Sequence, residues 1–267
     1  MDINTAPLPG ETFDLVVNYA ASHHIARLDR VFRALCSLLP ASAWMVSYDY
    51  VGPHRNQWDS EAWEAAQLLN SSLPEAFQQD LRYPHLPTML RMDPTEAVHS
   101  ELVMTVYRRY FAVEEWAPVG GALAYLLLTH NERLFRAPDD HDREMWVSRI
   151  LQADEAFLRG HPDSTLFAYF SGRPKKLVLK ERDQLARWTA EEEALERRAD
   201  AHGGEYYELT PLQLTYQLQE AKVQTRRQGV LSRLIRRPAR TDMGRRLRAS
   251  RFGSILESWA RRRMHLM

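Results

Sequence analysis

Thr12–Gly52 reads TFDLVVNYAASHHIARLDRVFRALCSLLPASAWMVSYDYVG, and this stretch decides the fold. Its first part, Thr12–Ala20, is a short valine-rich apolar run preceded by Pro9-Gly10, the pattern of a buried strand. In the middle part, Ile25, Leu28, Phe32, Leu35 and Leu39 fall on one helical face. Ser22 stands where a cap would, and Pro40 where the helix must stop. The last part, Ser42–Gly52, is a second apolar strand closed by Gly52-Pro53. Strand–helix–strand is the unit from which parallel sheets are built, because parallel neighbours need a long crossover.

Working outward, residues 58–80 carry a helical pattern around Trp63, Leu68, Leu69 and Phe77. Pro84, Pro87 and Pro94 make the next stretch irregular, and helical patterns return at 95–110, at 119–130 and after Pro138. STLFAYF and KKLVL read as two strands joined by a hairpin at SGRP, Ser171–Pro174. A charged helix over 181–202, a short strand at GGEYYELTP and a long helix from Leu212 towards Ile235 complete the body. Residues 243–263 predict a last, basic helix after Pro238. The expected fold is α/β: a mixed, mainly parallel sheet flanked by helices, with a basic helical C-terminal arm. The expected domains are residues 1–220 and 221–267.

With 267 residues, 45% of them apolar and 10% aromatic, the chain can build a real core. A single cysteine, Cys36, excludes an internal disulfide framework and cysteine-rich metal sites, and it points to a reducing compartment. Asp2, Asn4 and Glu11 stand where a signal peptide would carry basic and apolar residues. VGGALAYLLL, ten residues from Val119 to Leu128, is too short to cross a bilayer. A cytoplasmic protein is expected. Its zero net charge divides unevenly. Residues 221–267 hold fourteen Lys or Arg against Asp242 and Glu257, a balance of +12, which leaves −12 on the first 220 residues.

Four groups of residues could carry chemistry. Asp139, Asp140, Asp142 and Glu144 crowd the start of the helix after Pro138. Acids there favour the positive end of a helix, or one of them could serve as a base if a pocket tunes its pKa. Asp140-His141-Asp142 also has the D-x-D form that holds a metal against a diphosphate, although no apolar strand precedes it. Arg173, Lys175 and Lys176 stand on the expected turn, either as a solvated hairpin tip or as a clamp for a diphosphate. His23, His24 and His54 follow the two N-terminal strands, where α/β proteins place ligands. A metal site from His23, Asp49 and His54 is conceivable, but no H-x-x-x-H or H-E-x-x-H supports one, and neither metal nor cofactor is expected. The arm, with Phe252, Ile255, Leu256 and Trp259 on one face among arginines, suits an anionic lipid surface, nucleic acid or an acidic protein surface. No glycine-rich phosphate loop and no G-x-S-x-G is present, and Cys36 sits mid-helix among leucines.

Residues 116–180 resemble the catalytic half of branching glycosyltransferases of the β-1,6-N-acetylglucosaminyltransferase type. VGGALAYLLL matches that family's small-residue apolar helix, and APDDHDREMWVSRIL its proline–acid–acid motif, with ADEAFL at Ala153–Leu158 a rival placement. The resemblance covers about a quarter of the chain. It implies Asp140 or Glu144, less favourably Glu155, as catalytic base, and Arg173, Lys175 and Lys176 as a metal-free diphosphate clamp. The N-terminal strand–helix–strand is similar to the nucleotide-binding start of such folds, with Asp49 as nucleoside contact. On that resemblance the protein is expected to transfer a sugar from a nucleotide-sugar to a glycan or lipid-linked hydroxyl, with residues 243–263 at the inner membrane surface. The alternative expectation is a non-enzymatic protein whose basic arm binds an acidic partner or nucleic acid. The two patches of opposite sign must meet in one pocket for sugar transfer to hold.

Overall fold

A computed structural model describes residues 2–8, 10–136, 141–201 and 209–236. The chain divides into two units, Met1–Gln217 and Leu218–Met267. The expected strand in GGEYYELTP falls largely, and the basic helix over 243–263 wholly, outside the described residues.

The N-terminal unit folds as the first apolar runs require. β1 (Leu15–Tyr19) leads through a single 3-10 turn at Ser22–His24 into α1 (Leu28–Leu38), and β2 (Trp44–Tyr50) returns parallel to β1, with Leu15 opposite Trp44 and Tyr19 opposite Tyr48. α2 (Ser60–Ser72) is capped by Asp59, whose carboxylate accepts from the Ala62 amide at 2.7 Å, and ends before Pro74. α3 (Leu86–Met92) and α4 (Val103–Tyr110) precede β3 (Phe111–Gly120). Then come α5 (Ala124–Leu128), α6 (Glu132–Arg136) and α7 (His141–Gly160), and the chain re-enters the sheet as β4 (Phe167–Pro174). α8 (Arg182–Ala201) and α9 (Pro211–Arg236) follow. The sheet is mixed, in the order β1-β2-β4-β3, and β4 lies antiparallel to both of its neighbours.

The hairpin expected at Ser171–Pro174 is not there. These residues are part of β4 itself, and Lys176–Lys180 is a 3-10 turn rather than a strand. Gly172 is required for a reason other than turning. A Cβ on it would stand 2.4 Å from the Ala112 carbonyl oxygen, so the strands meet there at backbone distance. Pro174, with no amide hydrogen, ends the ladder.

α1 and α4 cover one face of the sheet. Val31, Phe32, Cys36, Leu39, Tyr107 and Tyr110 pack on Met45, Phe111 and Phe170, all of them buried. A second cluster around Tyr50, Trp58, Trp63, Tyr83 and Leu166 closes the end of the sheet where β2 finishes. At the β1 edge, Leu15, Val17 and Tyr19 are 54%, 66% and 74% exposed. Among the described residues no helix is long and apolar enough to cross a membrane.

Candidate functional site

The carboxyl ends of β1 and β2 point the same way, and the polar residues of this chain converge there. Asp49 is the second-last residue of β2 and has no exposed surface. Its Oδ2 accepts from the Asn18 amide Nδ2 at 2.6 Å and the Ser22 backbone amide at 2.7 Å. Its Oδ1 accepts from His23 Nδ1 at 2.6 Å and the Tyr50 amide at 2.9 Å. Burial alone would push this carboxyl up, but the bonds from His23, Asn18 and Ser22 outweigh burial and hold it below the usual carboxylate range. A carboxylate only accepts, so His23 Nδ1 carries the hydrogen, and in the neutral imidazole Nε2 is the lone-pair atom.

His24 is oriented in the same sense by a different route. Asp93, Pro94 and Thr95 make an Asx turn in which Asp93 Oδ1 accepts from the Thr95 amide at 2.9 Å and from its hydroxyl at 2.7 Å. These bonds from Thr95, side chain first, hold the Asp93 carboxyl below its ordinary value. With its only hydroxyl hydrogen given to Asp93, Thr95 Oγ1 accepts from His24 Nδ1 at 3.2 Å. His24 Nε2 is then the lone-pair atom, 3.7 Å from Glu96 Oε2. The 93–98 loop is fastened by Val98 N to His23 O at 3.0 Å, Arg55 N to Ala97 O at 2.8 Å and Arg55 Nη1 to Glu96 O at 2.8 Å.

Backbone strain gathers at the same place. Ala20, Arg55, Asn56 and Ala97 have φ of 48°, 52°, 52° and 48°, a region that side-chain-bearing residues rarely adopt. They are four of the five such residues among those described, and they lie on the segments that enter or hold this cluster. Each costs about 1–3 kcal/mol and persists only where the surroundings impose it.

The residues expected from the sequence are placed differently. Asp49 is an interior hydrogen-bond hub rather than an exposed nucleoside contact. Asp140 lies outside the described residues, and Glu144 is exposed on the first turn of α7. Glu155 is exposed and pairs with Arg159, while its neighbour Asp154 is buried and accepts from the amides of Gly121, Leu123 and Ala124. Arg173 bonds Glu114 at 2.8 Å and the Ser42 carbonyl at 2.9 Å, with its guanidinium 4.2 Å from the Trp44 ring centre. Lys175 donates to the Arg108 carbonyl, and Lys176 to those of Cys36 and Ser37. These three cations line an open cleft of about 990 Å³ with Arg108, Arg109 and Trp188, and neither Glu144 nor Asp49 is in its wall. Asp49 pairs with Ala168, five residues from Arg173 along β4, roughly 17 Å away.

The metal trio considered from the sequence is half formed. His23 and Asp49 meet, whereas His54 Nδ1 donates to the Val98 carbonyl at 2.7 Å. Thr95 and Glu96, which the sequence reading passed over, complete the cluster instead. Their one local signal was Asp93-Pro94-Thr95, a turn-forming triplet.

No family model matches this chain, and no curated protein matches it. Among solved structures, the chain is similar to the O-methyltransferase StiE O-MT, at 13% identity and a TM-score of 0.31, over 72% of this chain and 53% of that one. It is also similar to an O-methyltransferase from a trans-AT PKS multienzyme of Brevibacillus brevis in complex with S-adenosyl-L-homocysteine. That match has 15% identity and a TM-score of 0.30, over 78% of this chain and 61% of that one. The chain thus spans between a half and two thirds of the length of each. The resemblance to branching glycosyltransferases, with its nucleotide-sugar donor and glycan acceptor, is not borne out: no family model and no curated protein of that kind matches, and the two solved structures are O-methyltransferases. The geometry agrees for Glu144, which is not among the residues lining the cleft that holds Arg173, Lys175 and Lys176. The alternative of a non-enzymatic protein acting through its arm, and attachment of residues 243–263 to a membrane, rest mainly on residues outside the described ones.

Proposed function

We propose that the chain carries the acceptor-activating site of an O-methyltransferase, in which His23, held by Asp49, removes the proton from a hydroxyl. The observation that carries this reading is the 2.6 Å bond between His23 Nδ1 and a fully buried, ionised Asp49. It ties Nδ1 to the carboxylate and leaves Nε2 as the other ring nitrogen, in a ring whose centre lies 4.2 Å from that of half-exposed His24. A buried carboxylate behind an imidazole both sets the tautomer and stabilises the imidazolium formed when the proton arrives. Oxygen methylation requires that step, because a neutral hydroxyl is a poor nucleophile.

The four-strand mixed sheet flanked by helices is consistent with a Rossmann-like methyltransferase fold. The likeness to the two solved structures is too distant to add support. S-adenosyl-L-homocysteine, bound in one of them, is the demethylated form of the donor this reading needs. The present chain has no G-x-G-x-x-G turn after a strand, and the glycine pair that ends β3, Gly120-Gly121, is occupied by the Asp154 carboxylate. The setting proposed is cytoplasmic, in keeping with the single cysteine.

The test is release of S-adenosyl-L-homocysteine from S-adenosyl-L-methionine with phenolic and aliphatic hydroxyl acceptors. His23→Gln should lower the rate at least about 100-fold, the contribution of a positioned base. A wild-type chain that releases none with any acceptor, and gives no heat with S-adenosyl-L-homocysteine in calorimetry, refutes the reading.

A further inference from the structure

We propose that His23, His24 and Glu96 form a site for one zinc-class divalent cation. The three side chains each bring a donor atom within 4.8 Å of the other two. Hydrogen-bond direction says which ring nitrogens are left for a ligand. His23 Nδ1–H is given to Asp49 and His24 Nδ1–H to Thr95, so both imidazoles keep Nε2 for a ligand. Two neutral imidazoles and a carboxylate with donor atoms this close repel unless a proton or a cation lies between them.

The pattern around the cluster is what metal ligation needs. Each imidazole donates its other N–H to an oxygen acceptor, the arrangement that fixes tautomer and ring orientation in metal-binding histidines. Bonds of about 2.0–2.1 Å place tetrahedral ligands about 3.3 Å apart. His24 Nε2 and Glu96 Oε2 are already at 3.7 Å. Side-chain rotation of His24 and Glu96, 36% and 32% exposed, can supply the remaining closure, while His23 at 9% is the fixed member. Two nitrogens and one oxygen suit zinc or cobalt rather than calcium or magnesium, which take oxygen. Three protein ligands at a solvent-facing position leave a coordination site open, as in catalytic rather than structural zinc centres.

This inference rests on the His23 orientation used above and gives the same Nε2 a different use, since one lone pair cannot hold a cation and accept a proton at once. With the cation at His23 Nε2, an acceptor hydroxyl would bind at the open position. It would lose its proton to solvent rather than to imidazole.

The experiment uses the full chain, free of any polyhistidine tag and stripped with chelator. Zn²⁺ is titrated by calorimetry, and Co²⁺ is followed by its visible spectrum. One equivalent, retained through desalting, is expected. His24→Ala and Glu96→Ala, both at partly exposed positions, should each weaken binding at least about 10-fold, and Asp49→Asn, which removes no ligand atom but disturbs the support of His23 along with the other strand-end bonds, by about 10–100-fold. His161→Ala, on a ring stacked with Phe157 away from the cluster, should change nothing. Absence of stoichiometric binding, or binding indifferent to His24→Ala and Glu96→Ala, overturns the site. Undiminished methyl transfer in chelator, with no zinc retained, also overturns the cation and leaves the base reading standing. One retained equivalent that needs His24 and Glu96, without transfer to any acceptor, supports the cation and removes that reading instead.

Discussion

Replacing Asp49 by Asn tests whether this carboxylate is the hub of the strand ends. Four donors point at its two oxygens: Asn18 and the Ser22 amide at Oδ2, His23 and the Tyr50 amide at Oδ1. An amide of the same shape must turn an NH₂ towards one pair. Turned to His23, it can be accepted only if the imidazole moves its hydrogen to Nε2, and the Tyr50 amide is left facing a donor. Turned to Asn18, it is accepted if that side chain flips, and the Ser22 amide is the one stranded. Either way one buried amide loses its acceptor, at about 1–3 kcal/mol, and three remaining bonds lose charge assistance. Relief of the desolvation of a buried charge offsets part of this, so the net loss should be about 2–4 kcal/mol at pH 7.

Urea denaturation with an unchanged m-value is the assay. The pH dependence supplies a second reading. Asp49 has a depressed folded pKa, so its contribution is present above the unfolded value near 4 and is lost as pH falls through the folded value. Wild type should therefore lose stability on acidification below about pH 4 in a component that the Asn variant lacks. A loss under about 1 kcal/mol at pH 7, with matching acid limbs, would show that the four bonds do not hold these strand ends together.

Three further outcomes follow from the rest of the fold. Asp154→Ala strands the amides of Gly121, Leu123 and Ala124 and should cost about 3–5 kcal/mol in urea denaturation. Asp154→Asn, able to keep the Oδ1 position that serves Leu123 and Ala124, should cost about 1–2 kcal/mol. Glu192, pushed up to about 7 by burial, binds its proton more tightly folded than unfolded, so stability should decline between about pH 4.5 and 7. Glu192→Gln should remove that decline in melting curves from pH 5 to 8, and an unaltered slope would count against it. Val17→Lys, at a sheet edge and 66% exposed, should change stability by no more than about 0.5 kcal/mol while lowering light scattering on heating.

The first strand–helix–strand was legible because each element carries its own apolar pattern locally: a valine run, an i, i+3, i+7 face, a second run, although β1, expected as a buried strand, lies at the sheet edge with no residue fully buried. β3 was not. Glu114, Glu115 and Trp116 face outwards in it, so it lacks an apolar run, and its partner β4 lies past three intervening helices. Ser171-Gly172-Arg173-Pro174 misled for a related reason. Glycine and proline punctuate turns, but Gly172 is there for a close strand approach and Pro174 to end a ladder. For the site, Asp49 and His23 stood in the sequence as loop-end polar residues, but Glu96 is 72 residues from His24, and only the folded 93–98 loop brings it back.

Charge counting and hydrogen-bond direction point to opposite ends of the sheet, and Lys176 shows how they differ. Three cations within four residues suggested an anion clamp, yet each is engaged by the protein itself. Lys176 Nζ donates to the carbonyls of Cys36 at 2.6 Å and Ser37 at 2.9 Å, the last turn of α1, where unpaired carbonyls and the negative end of the helix favour a cation. Its contribution is therefore to α1, whose buried face is the floor under β2. Partial exposure reduces the bond strength, so Lys176→Met should cost about 1 kcal/mol, read as a lowered urea midpoint. The His23–Asp49 pair, at the other end of the strands, should be untouched, and transfer activity with it. Transfer falling more than about 10-fold in Lys176→Met with stability unchanged would return the cationic cleft to the reaction, and the direction of hydrogen bonds at the strand ends would lose its claim to mark the site.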